Sequence, residues 1–460
     1  MSIETWIADR PEELTDLIVG QRWFGDKSRT RTGMRPSLML EFAHDGNQYA
    51  LLEAGFDFSE SDPATYLVPI LHRSDGQAVD ALRDPSFLAW LAEGFAERRI
   101  IETDHAGGSR LVWSSGGELE SPWWSRPPRM LEGEQSNTSV MYGREAILKL
   151  FRKLQPGVNP DSEIVSFLTD LHEFPHVPKF LGSISLGFDS ERESIELAAV
   201  QGFVPNGGDS WRWLPDALRT GTSEDLTGLL TSIRLLGQRT GELHVALAAS
   251  DGDPAFQPEV IDRAVVDAVE DRLGREVRVT ASMLHRQGAC SHAESESLAS
   301  SLLGSVSHAE SLLDTLQTRV HGDYHLGQVL RTGDDFVIID FEGEPSRPMR
   351  ERRQKSSPLK DVAGMLRSID YAVATASHGD GVVDLGAWRD DAERAFLDGY
   401  LPVVRRDPKA LVPREPDALA QALDVFMIEK ALYEVRYELD NRPDWLDIPF
   451  GALRRIAAGD

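Results

Sequence analysis

The chain has 460 residues, 41% hydrophobic and 27% charged, which is material for more than one core. A formal net charge of −27 argues against nucleic-acid backbones and anionic lipid surfaces as partners, yet leaves room for a nucleotide held by a few local cations. The single cysteine, Cys290, excludes an intrachain disulfide framework and a thiolate-rich metal site. No leader pattern opens the chain and no run approaches a transmembrane span, so a soluble cytoplasmic protein is expected, with no nucleic acid and no membrane as partner.

In chain order, "PEELTDLIVGQRWF" has helical spacing and stops near Gly20. "SLMLEFAHDGNQYALLEAGF" reads as a hairpin turning on Asp45-Gly46-Asn47, "ATYLVPILHR" as a further strand, and "DPSFLAWLAEGFAERR" as a helix capped by Asp84. These elements predict a separate N-terminal module over residues 1–100. Residues 101–204 read as β-rich: "EGEQSNTSVMYGREAILKLFRKL" alternates turn and strand, and "KFLGSISLGF" and "SIELAAVQGF" add two strands. Between them "PDSEIVSFLTDL" is helical. Residues 205–460 are mostly helical, from "SEDLTGLLTSIRLLGQRTGELHVALAA" and a helix over "HAESESLASSLLGSVSHAESLLDTLQ" to the long C-terminal "EPDALAQALDVFMIEKALYEVRYELDN". One stretch, "RVHGDYHLGQVLRTGDDFVIIDFEGEP", interrupts the helices with strand. A β-rich part followed by a helix-rich part predicts a bilobal, kinase-like α+β fold.

That stretch carries the chemistry. Phosphoryl transfer needs a base at the acceptor hydroxyl, oxygen ligands for Mg²⁺ and a cation on the nucleotide phosphates. Asp323 follows a glycine that lets the backbone turn, Gln328 offers an amide oxygen, and the apolar strand "FVIID" ends in Asp340. The order Asp323, Gln328, Asp340 matches the catalytic base and two metal ligands of kinase-like folds. His321 reads as a structural brace, and His325 as either a loop brace or a contact to the acceptor. A zinc site is disfavoured because no paired helical histidine motif is present. Lys149, in the alternating strand "EAILKLF", and Glu163, on the next helix, form the expected ion pair that directs an ammonium at the nucleotide phosphates. Ser136, Asn137, Thr138 and Ser139 are read as a phosphate-cradling loop, and Gln201 and Phe203 as adenine-facing residues at a hinge.

The segments "QRWFGDKSR", "GEQSNTSV", "AILKLFRK", "HGDYHLGQVLR", "IDFEGEP", "SPLKDVAGMLRSIDYA" and "EKALYEVRYELDNRPDWLDIPF" resemble those of bacterial maltokinases, in order and over nearly the whole chain. That family is similar in fold to the aminoglycoside phosphotransferases and carries an N-terminal cap. The resemblance implies transfer of the γ-phosphate of ATP to maltose, with Mg²⁺, to give maltose 1-phosphate. It also implies Asp323 as base, Gln328 and Asp340 as metal ligands, Lys149 with Glu163 at the nucleotide, and trehalose synthase as a partner. Lys430, Tyr433 and Tyr437 share one helical face with Phe426, and Arg442 and Trp445 follow; with His325, these are the sugar-site candidates. Glucosamine kinases resemble maltokinases in fold, cap and catalytic core and phosphorylate an amino sugar at its 6-hydroxyl. Asp424, Glu434, Glu438 and Asp444 offer partners for a protonated amine, so that reading stands beside the first. An inactive binding module on this fold is disfavoured, because base, metal ligands and lysine are all present.

Overall fold

A computed structural model of the chain describes residues 3–59, 61–73, 76–117, 121–131, 136–249, 252–345, 347–377 and 385–459. It divides into two compact units: residues 1–173, 178–205 and 347–351, and residues 174–177, 206–346 and 352–460.

The first unit opens with helices α1 (Ile3–Asp9) and α2 (Pro11–Val19), then strands β1 (Arg31–His44), β2 (Asn47–Phe58), β3 (Ala64–His72) and β4 (Ala78–Asp80), then helix α3 (Pro85–Glu97). Asp45 and Gly46 join β1 to β2 with φ of 47° and 78°, the left-handed pair that a two-residue hairpin turn requires. Alternation on β2 and β3 serves two cores. Ala50, Leu52, Phe56, Val68 and Ile70 pack with Trp6, Leu14, Ile18 and Phe24. Tyr49, Leu51, Leu67 and Leu71 face the other way, onto Phe87, Leu91 and Phe95 of α3. The Asp84 carboxylate accepts the Ser86 and Phe87 N–H groups and so starts α3.

Next come β5 (Ile100–Thr103), β6 (Ser109–Ser115), β7 (Pro128–Met130), β8 (Asn137–Tyr142), β9 (Ala146–Phe151), β10 (Lys153–Leu154), helix α4 (Pro160–Ser166), β11 (Phe180–Phe188) and β12 (Ile195–Gly202). An antiparallel sheet runs β5-β6-β11-β12-β9-β8-β7. Its Leu111, Trp113, Leu148 and Val200 belong to the same apolar cluster as Tyr49 and Leu51. The chain leaves β9 and pairs through β10 with β3 of the first sheet. Between the two strands, the fully buried Arg152 binds the Thr138 hydroxyl at 2.9 Å and the Asp80 carboxylate at 2.6 Å.

Beyond Pro205 lie α5 (Ser210–Thr220), α6 (Ser223–Leu247), β13 (Glu259–Val260), α7 (Arg263–Arg286), α8 (His292–Val306), β14 (Leu316–Gln317), β15 (Val329–Thr332), β16 (Asp335–Ile338), α9 (Met349–Arg352), α10 (Leu359–Ser377), α11 (Gly386–Val404), α12 (Pro416–Asn441) and α13 (Asp447–Ala458). The helix expected over 292–317 ends at Val306 and tightens into a 3₁₀ segment to Leu312. There Ser305, Ser307 and Ser311 hydroxyls donate to carbonyls three or four residues back, the competition that weakens a serine-rich helix end. Helices α5 and α7 are not among the elements read from the sequence, although Val266, Leu273, Val277 and Leu284 recur along α7 at core spacing. Among the described residues no helix is long and apolar enough to cross a membrane.

Helices α6 and α11 pack backbone to backbone at glycines. A Cβ on Gly399 would sit 1.9 Å from the Arg234 carbonyl oxygen, and one on Gly237 2.0 Å from that of Phe396. Gly399→Ala is therefore expected to lower stability by about 2–3 kcal/mol, read as a fall in denaturation midpoint. Gly228→Ala, also in α6 but with open space around the new methyl, should leave the midpoint unchanged or raised.

Candidate active site

In the second unit the loop from His321 to Gln328 is hung from buried helices. Asp361, in the first turn of α10, accepts the backbone N–H of His321 at 2.7 Å and of Gly322 at 2.9 Å. His244 of α6 donates to the same carboxylate at 3.2 Å, and its other ring nitrogen meets the Tyr400 hydroxyl at 2.9 Å. Burial acts to raise the Asp361 pKa, but the His244 contact and the Gly322 N–H outweigh it and hold the carboxyl below its usual range. Ser368, also on α10, accepts the Leu326 N–H at 3.1 Å. Gly364 lets α10 approach so closely that a Cβ there would lie 2.6 Å from the Tyr324 carbonyl oxygen.

The loop is tied to the strand behind it. His321 Nε2 donates to the Ile339 carbonyl at 3.0 Å, which places the loop beside the residue preceding Asp340. Asp340 has φ of 67°, a left-handed conformation uncommon for a residue with a side chain, and marks a backbone held by its surroundings. Gln328 Nε2 donates to Asp340 Oδ2 at 2.8 Å, so the two expected metal ligands are adjacent. A Glu342 carboxylate oxygen lies within 4.8 Å of one on Asp340, and Arg352 approaches Glu342 at 3.8 Å. This set of hard oxygens, carboxylate plus amide, fits Mg²⁺ and offers nothing to a thiophilic metal.

Asp323 is not the exposed, unperturbed carboxylate that a simple base needs. Lys430 of α12 places Nζ 3.2 Å from its Oδ1, and His325 Nε2 lies 4.0 Å from its Oδ2. Burial acts to raise the Asp323 pKa, but the Lys430 ammonium, with His325 behind it, keeps the group below the usual carboxylate range. His325 Nδ1 accepts the Gly327 N–H at 3.1 Å, which caps the next turn. Burial pushes this imidazole down, against the pull of Asp323, so it is neutral with its free N–H toward the carboxylate.

Along α12 and just past its end, Lys430, Tyr433, Tyr437, Arg442 and Trp445 form one strip. Lys430 lies over the Tyr433 ring at 5.3 Å, Tyr433 stacks on Tyr437 at 6.4 Å, and Arg442 lies over both Tyr437 and Trp445 at 5.3 Å. Phe426, placed on this face by the sequence, is buried core. Glu434 and Glu438 are committed elsewhere. Glu434 receives Arg367 at 2.7 and 2.9 Å, and Glu438 receives Arg442 at 2.7 and 2.9 Å together with the Tyr371 hydroxyl at 3.1 Å. A buried carboxylate must be paired, and these have their cations already.

In the first unit Lys149 sits opposite Ser139 of β8 and Ala199 of β12. Its ammonium is 3.7 Å from Asp161, at the start of α4, with Glu163 one half-turn further along. Nothing in the sequence pattern distinguishes Asp161 from Glu163, which stands in the same first turn. Its helix is fixed by Asn159 at the cap and by Glu196 of β12, which accepts the Asn159 N–H at 2.9 Å and the Ser162 hydroxyl. Burial pushes the Glu196 carboxyl up to about 7, although both hydrogen bonds act to lower it.

The phosphate-cradle expectation needs correction. Asn137, Thr138 and Ser139 are strand residues of β8, because their alternation matches the register with β9; Thr138 is spoken for by Arg152 and Ser139 is buried. Ser136 is an exposed bend, and residues 132–135 of that stretch lie outside the described residues. Gln201, the penultimate residue of β12, has its side-chain amide nitrogen buried and without a protein partner among the described residues. Phe203 is held by its N–H to the Glu145 carbonyl at 2.9 Å, its ring beneath Arg144 at 5.6 Å. An orphaned amide beside the exit from the first unit suits a polar ligand edge such as that of a purine.

Fold and site together describe a chain of the kinase-like α+β class. No protein-family model matches the sequence. It is similar to the glucosamine kinase of Streptacidiphilus jiangxiensis, 28% identical over 69% of this chain and 70% of that one. It is also similar to that of Mycolicibacterium smegmatis, 25% identical over 76% and 83%. Among solved structures, a glucosamine kinase in complex with glucosamine, ADP and inorganic phosphate aligns with TM-score 0.69 at 22% identity, covering 96% of this chain and 98% of that one. A second crystal form of a glucosamine kinase gives 0.71 at 21% identity. The fold expected from the sequence is thus the fold of these kinases. These relatives support a kinase, and none of them carries maltose or trehalose synthase in its name.

Asp361→Asn is expected to lower stability by about 3 kcal/mol at neutral pH, since His244 and two N–H groups lose a charged acceptor. A depressed folded-state pKa contributes stability that is present above the unfolded value and lost as pH falls. The difference between wild type and variant in denaturation midpoint should therefore shrink below about pH 4.

Proposed function

We propose that the chain is an ATP-dependent sugar kinase and that glucosamine, phosphorylated at its 6-hydroxyl, is its acceptor. The observation that carries the kinase reading is the second unit's loop: Asp323 on backbone pinned by Asp361, with the adjacent Gln328 and Asp340 side chains in the same loop and hairpin. Glucosamine is supported by the names of the curated relatives. A second reading, maltose phosphorylated at its anomeric hydroxyl, is favoured by one observation: the cation at Asp323 suits an uncharged acceptor.

In this mechanism Asp323 accepts the hydrogen bond, and then the proton, of the attacking hydroxyl, approaching it within about 2.6–3.2 Å. Lys430 and His325 orient the carboxylate and keep it ionised. Gln328 and Asp340, with Glu342 beside them, would hold Mg²⁺, which when bound shields the phosphate charge. Lys149, steadied by Asp161, directs its ammonium at the nucleotide phosphates. The aromatic strip of α12 gives a sugar ring flat surfaces to lie against.

ADP release should be measured with glucosamine, with maltose and without sugar. Release that depends on a sugar, lowered about 10²–10⁴-fold in Asp323→Asn, is the expected result. Release indifferent to every sugar would overturn the reading. Because the base is held below the ordinary carboxylate range, the acid limb of kcat/KM that reports its protonation should lie below about pH 4.

A further inference from the structure

We infer that Lys430 is a charge filter at the acceptor end of this site: its fixed ammonium selects against acceptors that carry a positive charge near the reacting hydroxyl. The inference rests on the sugar-kinase reading above.

The geometry is specific. A lone carboxylate at the reacting position would attract any cationic sugar. Here that charge is already answered by a cation of the protein, 3.2 Å away, on a side chain that is only 19% exposed. Lys430 is carried on the middle of a long helix and lies over the Tyr433 ring, so it is not a surface lysine that swings aside at no cost. The groups facing the pair are His321 and His325 from the loop, Glu344 beyond β16, and Glu434 one turn along α12. Glu434 is itself matched by Arg367. Burial alone would lower the Lys430 pKa, but Asp323, Glu434 and Glu344 overcome it and raise it, so the ammonium remains charged at any working pH.

Two like charges about 6 Å apart in a partly buried site repel strongly enough to change a rate constant about tenfold or more. In glucosamine the amine is on C2, next to the C1 and C3 hydroxyls and across the ring from the 6-hydroxyl. The filter therefore penalises protonated glucosamine in either pose, less with its 6-hydroxyl toward Asp323 and its ammonium turned away than in the reverse one. A neutral sugar meets no such restriction. One residue thus sets both which sugars are accepted and which hydroxyl of an amino sugar reacts.

The test compares wild type, Lys430→Met and Lys430→Gln with glucosamine and glucose across a pH series, reading the glucosamine-to-glucose ratio of kcat/KM. In wild type the ratio should rise as the sugar amine loses its proton. In both variants it should be higher at neutral pH, by about tenfold, and nearly flat with pH. A merely structural lysine would lower both rates together and leave the ratio and its pH dependence as they were; that result overturns the filter. Where a variant no longer turns over, the same ratio is read from calorimetric binding of the two sugars in the presence of ADP. If wild type neither turns over nor binds any sugar, the sugar-kinase reading falls and takes this inference with it. Sugar turnover with an unchanged ratio removes the filter alone.

Discussion

The Asp361 carboxylate is the constraint on which the candidate site of the second unit depends. It is buried, it remains charged, and it has to be satisfied from every side. Two consecutive backbone N–H groups, of His321 and Gly322, and one imidazole, of His244, do so. Two adjacent amides can converge on one carboxylate only if the chain turns sharply there, and Gly322 at φ 85° supplies that turn. The direction of Asp323, the next residue, is then not free. From the same anchor His321 reaches the Ile339 carbonyl, which fixes the strand end where Asp340 sits opposite Gln328. One carboxylate thereby sets the positions of Asp323, Gln328 and Asp340, the proposed base and metal ligands.

Much of this centre was legible because its parts are close in sequence. Asp323, Gln328 and Asp340 lie within one loop and one hairpin, so their spacing survives as a pattern. Asp361 and His244 were not legible: each comes from a helix far along the chain, and their meeting is a product of packing. The same limit explains Lys149. Strand alternation marks it as a lysine needing a partner; two carboxylates, Asp161 and Glu163, stand in the first turn of the following helix, and that Asp161 lies 3.7 Å from the ammonium is visible only in the packing. Small polar residues suit a loop, as expected for Ser136–Ser139, whereas the register with β9 makes Asn137, Thr138 and Ser139 strand. On α12 periodicity found the strip of Lys430, Tyr433 and Tyr437, yet could not tell that Phe426 lies on its buried margin, or that Glu434 and Glu438 are claimed by Arg367 and Arg442.

Acceptor identity is written in fewer residues than acceptor chemistry. The base, the oxygen pair and the lysine are common requirements of phosphoryl transfer to any hydroxyl, which is why they speak to the class of reaction. On the proposed reading, what distinguishes one sugar from another is the charge balance around Asp323 and the spacing of the aromatic rings. Those depend on side-chain placement within α12, not on a motif. Similarity across most of the chain can therefore coexist with a change of substrate at one or two positions.

The path of the chain through Arg152 has a consequence for how such proteins diversify. Strand β9 carries Lys149 in one sheet, and its continuation β10 pairs into the other; around them a single apolar cluster takes Leu51 and Leu71 from one side of residue 100 and Leu148 and Val200 from the other. A recombination event near residue 100 would pass through the middle of that cluster and leave both products with half a core. The N-terminal segment is therefore expected to descend together with the strands that follow it, and to record the same ancestry.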